Sequence, residues 1–371
     1  MGRGEDRFEQ MLRLLPEGWE AKAKEMGALQ RARKIQTPEG LLRLILLYLT
    51  EGKSFAGTSA ITALSGEAVM SKVAVFKRMG NSAAWLQWLC EHICRNGGLI
   101  VEKPKWLKKK NVLLADGSEV VKCGVRRQCH MLHYSLDLFT LAAREFLVTD
   151  MKTGEKLANF KHLGKGDIVM GDRIYGTVPG IAYIRQMKAG YALRIKSHGF
   201  TMYDHKDGKI DLLRRLSGLK EGKTADITGK CIINGRYEPV RVCALRKEAE
   251  SERTGLKRLK KENQRKKGGR AVSELQRENN KYIMVATSLG KEEATAAQVL
   301  ELYRMRWQIE LAFKRLKSLF GYSDLPAKNP QSVKAWFYGK LLLAALCETL
   351  VNTGRFSPSA GTWRTGGTSP C

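Results

Sequence analysis

Apolar positions recur every three to four residues through most of the first hundred positions, and this spacing predicts helices. "TPEGLLRLILLYLTEG" opens with Thr-Pro-Glu, carries a 3.6-residue apolar period and stops at Gly. "TSAITALSGEAVMSKVAVFKRM" predicts a short helix, a Ser-Gly turn and a second helix with Ser71, Lys72, Lys77 and Arg78 on it, which is helix-turn-helix spacing. A plain helical bundle has the same pattern.

From residue 111 the period changes from helix to strand. "NVLLADGSEV", "HMLHYSLDLFTL" and "EFLVTDMKTG" predict three strands with turn residues between them. "EKLANF" predicts a short helix, "DIVMGDRIYG" a buried strand, "VPGIAYIRQMKAG" a helix and "YALRIK" another strand. The order β-β-β-α-β-α-β predicts an α/β fold, a mixed sheet with helices on it, and matches the ribonuclease H type of core. Across 198–280 the alternation lapses. "GKTADITGKCIINGRYEPVRVCAL" predicts antiparallel hairpins around Asn234-Gly235, and the Lys- and Arg-rich run that follows predicts a solvated helical arm or a loop. "KYIMVATSL" resumes the strands, and Thr295 is placed to cap the next helix.

That next helix raises the question of chemistry. "YRMRWQIELAFKRLK", residues 303–317, holds one acid, Glu310, among bases. Treated as one helix, it puts Arg306, Glu310 and Lys317 at about 300°, 340° and 320° from Tyr303, a narrow stripe. Leu302, Met305, Ile309, Ala312, Leu316 and Phe320 form the face to be buried. The acid is either a metal ligand beside phosphate-binding groups or a partner in surface ion pairs. Two aspartates, Asp116 and Asp172, stand where apolar strands are expected to meet loops, and an isolated carboxylate is too costly to bury there. Three carboxylates in this order can hold two hard divalent ions about 4 Å apart at a phosphodiester.

The net charge of +28 on 371 residues favours a polyanionic partner, with nucleic acid preferred to a membrane. The most apolar runs are too short to span a bilayer, and neither they nor the start of the chain predict insertion or export, so a cytoplasmic protein is expected. The eight cysteines form no CxxC pair; "CEHIC" and "CGVRRQCH" lack the spacing of a structural zinc site, and reduced, mostly buried thiols are expected. His130 and His133 lie in a strand, and Trp307 and Trp336 are expected in the core.

Tyr303, Arg306, Glu310 and Lys317 fit the pattern Y-(2)-R-(3)-E-(6)-K, and with "LLADGSEV" and "VMGDRIYG" the chain resembles bacterial insertion-sequence transposases of the DDE superfamily that carry a β-rich insertion before the catalytic glutamate. The resemblance covers roughly residues 40 to 350. It implies a ribonuclease H-like core at 108–197 and 281–350, interrupted by a β-rich insertion with a basic arm at 198–280. A helical DNA-binding domain at 1–100 would precede the core, and a flexible tail at 351–371 would follow it. It implies that Asp116, Asp172 and Glu310 are the catalytic carboxylates holding two Mg2+ or Mn2+ ions. Tyr303, Arg306 and Lys317 would contact DNA, Arg173 and Tyr175 would shape the site and join the DNA-binding set, and Lys72, Lys77 and Arg78 would bind the element's ends. A homodimer on DNA is expected. Relatives that stack a flipped base use an aromatic of the insertion, a role that would fall here to Tyr203 or Tyr237. The expected activity is strand cleavage and strand transfer at terminal inverted repeats. A nuclease of the same core without joining activity and a non-catalytic DNA-binding regulator are the alternatives.

Overall fold

A computed structural model describes residues 7–50, 54–96, 102–122, 128–265, 269–319, 324–325 and 329–352. The chain opens with α1 (Arg7–Leu12), α2 (Trp19–Glu25), α3 (Pro38–Thr50), α4 (Phe55–Leu64), α5 (Lys72–Asn81) and α6 (Ala83–Asn96). Strands β1 (Asn111–Lys122), β2 (Gln128–Asp137), β3 (Ala143–Asp150) and β4 (Asp167–Gly176) follow, then α7 (Val178–Gln186) and β5 (Gly190–Ile195). Next come β6 (Met202–Tyr203), β7 (Lys209–Ile210), α8 (Leu212–Leu216), β8 (Thr224–Ile233) and β9 (Arg236–Arg246). The chain continues through α9 (Ala249–Arg265), α10 (Glu274–Asn280), β10 (Tyr282–Thr287), α11 (Ala296–Arg304), α12 (Trp307–Leu319), β11 (Asp324–Leu325) and α13 (Pro330–Asn352).

Two compact units divide these residues: 7–96, 117–154 and 310–352 in one, 102–116 and 155–309 in the other. β1 therefore lends its residues as far as Asp116 to one unit and those from Gly117 to the other.

In the first unit α13 lies against α3, α5, α6 and β3, and its Trp336, Phe337 and Leu342 are buried. Phe146 of β3 meets Tyr338 of α13 at 5.5 Å between ring centres. Trp85 of α6 stacks on Trp19 at 6.0 Å and donates its indole N–H to the Trp19 carbonyl at 3.0 Å, which satisfies the one polar group of a fully buried ring. The helix-turn-helix expectation has its counterpart in α4 and α5. Ser54 and Ser71 cap them by accepting the Gly57 and Ala74 amides, and the Ser59 hydroxyl donates to the Met70 carbonyl, tying α4 to the lead into α5. β2 and β3 pair antiparallel across a turn in which the Asp137 carboxylate accepts the Phe139 and Thr140 amides. His133 of β2 is fully buried; burial pulls its pKa down to about 4, and its Nε2 is 2.9 Å from the Thr149 hydroxyl.

In the second unit the ladder runs from the first residues of β1 through β4, β5, β10, β9, β8 and β6 to β7. β1, β4 and β5 are parallel, and β10 turns the direction by pairing antiparallel with both β5 and β9. Asn234 and Gly235, both at positive φ (50° and 77°), make the two-residue turn of the β8–β9 hairpin, as Asn-Gly predicts. Leu113, Val169, Ile181, Tyr191 and Leu193 belong to the core of this unit together with Val242 and Met284.

Five expectations are corrected or refined. Residues 303–317 are not one helix: α11 ends at Arg304, the amide of Arg306 bonds back only three residues to the Tyr303 carbonyl, and α12 starts at Trp307. Trp307 is 48% exposed, because the break turns it out of the apolar face, whereas Trp336 is buried as expected. "EKLANF" forms only a 3-10 turn at Leu157–Asn159. The described part of the basic arm is helical, as α9 and α10. Asp116 and Asp172 lie inside β1 and β4 and not at their ends, since both strands run on after their mutual pairing stops.

Gly176 permits a close approach: a β-carbon there would run into the Arg194 carbonyl of β5. Gly176→Ala is expected to cost about 1–3 kcal/mol through strand displacement. A urea midpoint equal to that of the wild type would show that β5 yields without penalty.

Candidate active site

Register explains how two aspartates distant in sequence become neighbours. β1 and β4 pair in parallel from Asn111↔Asp167 to Leu114↔Met170. Continuing that register by two residues sets Asp116 opposite Asp172, on one face of the sheet, with adjacent strands about 4.8 Å apart. β4 then leaves its other ladder as well. Gly171 pairs with Leu193, and the next β4 residue to pair with β5 is Gly176, with Ile195. Residues 172–175 bulge out between those two points, and bulges of this kind re-aim side chains. The Asp172 carboxylate steadies the bulge by accepting the Ile174 amide at 2.7 Å.

Tyr175 ends the bulge facing inward. It is 1% exposed, packs edge-on against Phe160, and donates its hydroxyl to Glu155 at 2.7 Å. Burial raises its pKa, and the carboxylates of Glu155, Asp116 and Asp172 push it in the same direction. Tyr175 thus supports the acidic side of the site from beneath. With its hydroxyl committed to Glu155, it is suited to shaping the site more than to touching a phosphate.

The opposite side is basic. Tyr303, in the last turn of α11, is 7% exposed. Burial raises its pKa, while Arg306, Arg194 and Arg173 act against that rise. Its hydroxyl has no hydrogen-bond partner among the described residues. Arg306 occupies the break between α11 and α12, half-buried, with its guanidinium 3.5 Å from the Asp116 carboxylate. Arg194 of β5 was absent from the expected set. Burial pulls its pKa down to about 10, helped by Arg173 and Arg306 and opposed by Tyr303 and Asp172. The one advance signal is its position, a lone base in the apolar strand "YALRIK". Asp172 faces both sides: the acids around Tyr175 and the bases around Tyr303.

The remaining expected residues belong to the first unit. Glu310 and Lys317 are exposed on α12. Lys72 and Lys77 are exposed on α5, while Arg78 is half-buried and donates to the Arg31 carbonyl at 2.6 Å. Burial lowers the Arg78 pKa, and Arg33 lowers it further. In the insertion, Tyr203 and Tyr237 meet edge to face at 5.5 Å, with the Lys230 ammonium 4.8 Å from the Tyr237 ring centre.

Among the described residues, no three His, Cys, Asp or Glu side chains stand together as a group that could hold an ion, and no helix is long and apolar enough to cross a membrane. The donors nearest one another, Asp116 and Asp172, are hard oxygens. No thiol or imidazole appears among the groups acting on Tyr175 or Tyr303, so the chemistry of the set fits a hard divalent cation.

Comparisons with known proteins agree with this chemistry. A family described as the transposase DDE domain matches residues 142–346, more than half of the chain. InsL of the insertion sequence element IS186A of Escherichia coli strain K12 is 32% identical over 342 residues, 91% of each chain. The transposase for insertion sequence element IS421 of Escherichia coli is 32% identical over 343 residues, again 91% of each. The transposase for insertion sequence element IS1151 of Clostridium perfringens is 26% identical over 293 residues, 71% of this chain and 58% of that one. With aspartates and arginines gathered on one sheet and relatives matched over nearly the whole length, the chain belongs to the DDE transposases of bacterial insertion sequences.

Proposed function

We propose that this transposase cleaves DNA at the terminal inverted repeats of its element and joins the freed ends to target DNA, with Asp116, Asp172 and Glu310 as its catalytic carboxylates. The observation that carries the proposal is the polarity of the site: acids converge on Tyr175, bases converge on Tyr303, and Asp172 is shared by both. Phosphoryl transfer needs cations at the reacting oxygens and donors for the phosphate charge, and the two sides divide that work.

The three carboxylates would hold two Mg2+ or Mn2+ ions. When bound, these ions supply the positive charge that offsets charge building on the attacking and leaving oxygens. The protein's own residues set the geometry. The Asx turn at Ile174 fixes where Asp172 points, Tyr175 holds the floor, and Arg306, anchored against Asp116, keeps a guanidinium within reach of the DNA backbone. Lys317 lies seven residues beyond Glu310 on α12, about 10 Å along the axis, a spacing that suits a neighbouring phosphate. In this reading Tyr203 and Tyr237, with Lys230 beside them, offer a flipped base a stacking platform. Two copies act on paired ends. The end-binding residues are Lys72 and Lys77 on α5, with Arg78 bracing the segment before α3.

The test is to incubate the protein and Mg2+ with linear DNA carrying the sequences that flank its gene. Joined products support the proposal. Cleavage without joining would favour the nuclease, and end-specific binding with neither would favour the regulator. Two smaller effects are also expected. Lys317→Ala should flatten the slope of log affinity against log salt by about one unit, whereas a residue serving only in an exposed ion pair would leave it unchanged. Lys72→Ala with Lys77→Ala should reduce the preference for end DNA over random duplex. Point substitutions are the right probe, because deleting the first helices would strip α3, α5 and α6 from α13. An unchanged preference ratio would move recognition away from α5.

A further inference from the structure

Arg194 has no place in the Tyr-Arg-Glu-Lys spacing, yet the fold delivers it to the same site. β5 runs beside the β4 bulge, so Asp172 and Arg173 leave the ladder next to it, and Gly176 lets the Arg194 backbone come close. Arg194, Arg173 and Arg306 then surround Tyr303 with Asp172 as the one acid among them. Like charges gathered in a half-buried place repel one another and are unfavourable unless an anion completes the group. Arg241 shows what an arginine with a purely structural task looks like in this unit: it is consumed by Asp226 and by the carbonyls of Leu289, Gly290 and Ala294.

A second, independent observation points to the same occupant. The Tyr303 hydroxyl is buried and unpartnered among the described residues, and a buried hydroxyl without an acceptor is costly. An anion with several acceptor oxygens satisfies both conditions, taking the phenol hydrogen and the two-pronged donation of a guanidinium. We propose that Arg194 and the Tyr303 hydroxyl together bind the non-bridging oxygens of one phosphate at the cleaved DNA end, on the basic side of Asp172. This rests on the transposase reading of the site and adds to it a residue that binds the reacting strand.

The test is equilibrium binding, without metal, to the element's own end duplex carrying a single uncharged methylphosphonate, moved one phosphate at a time through the cleavage point. Wild type should lose about tenfold in affinity or more at one position, the size expected for a charge-assisted hydrogen bond. In Arg194→Gln that drop should shrink to within about twofold, while penalties at the other phosphates persist. Arg194→Lys should restore part of it. Tyr303→Phe, which changes no charge, should also reduce it. If Arg194→Gln or Arg194→Lys binds more weakly at every position and keeps the full wild-type drop, Arg194 is only structural and the proposal falls. A wild-type protein with no preference for the end duplex would instead overturn the transposase reading of the site.

Discussion

Asp172→Asn is expected to bind terminal DNA as the wild type does and to cleave it at least about a thousandfold more slowly, the loss that follows when several kcal/mol of charge stabilisation disappears from a transition state. The amide oxygen of asparagine can still accept the Ile174 amide, so the bulge and the fold should survive. What goes is the negative charge shared by the two sides of the site. Asp172 is a cleaner probe than Asp116, whose neutralisation would also release the Arg306 guanidinium held 3.5 Å away. Glu310→Gln should behave like Asp172→Asn. Gel-shift binding and cleavage of an end-labelled duplex, run in parallel, check both variants. A variant that nicks at the wild-type rate would remove its residue from the catalytic set.

The largest expected effect on stability lies away from the chemistry, at Arg241. Its side chain is 6% exposed, forms two hydrogen bonds with Asp226, and donates to three carbonyls of the segment leading into α11. Arg241→Ala leaves Asp226 and those carbonyls without their donor, and breaking a buried pair in this way typically costs about 3–5 kcal/mol. Urea unfolding measures the loss, and a cost under about 1 kcal/mol would show that water replaces the guanidinium. Hydrogen bonding to Arg241 also holds the Asp226 carboxyl below its ordinary value of 3.8. A depressed carboxylate stabilises the fold above that ordinary value and loses its contribution as pH falls through the lowered one. The wild type should therefore soften in acid below pH 3.8 by an increment that the Arg241 variant lacks.

The sheet and the hairpins were legible because their signals are local. "YALRIK", "KYIMVATSL" and the Asn-Gly turn each carry their instruction within a few residues. The acids were legible because a charge inside an apolar strand demands a reason. The break at Arg306 was not. Neither Gly nor Pro marks it, and Met305 and Ile309 keep the apolar period through a turn in which only the hydrogen bonding tightens. A helical wheel cannot register such a turn, so the stripe from Tyr303 to Lys317 divides between two helices. The extension of β1 beyond Asp116 was hidden by Gly117-Ser118, which looks like a turn but continues as strand. Arg194 was passed over because its role depends on the β4 bulge, and the bulge depends on pairing between strands, which has no local trace.

The pairing of β9 with β10 carries a further consequence. Residues 241–246 match 282–287 one for one, so each amide and carbonyl of β10 facing that way finds its mate on the inserted segment. Excising 198–280 to obtain a minimal enzyme would leave β10 as a raw margin of unpaired backbone, open to any other extended chain. Such a trimmed protein should precipitate on expression, and in the intact one the amides of β10 should rank among the slowest to exchange with deuterium. A smaller version of this enzyme needs a replacement strand before it needs a shorter loop.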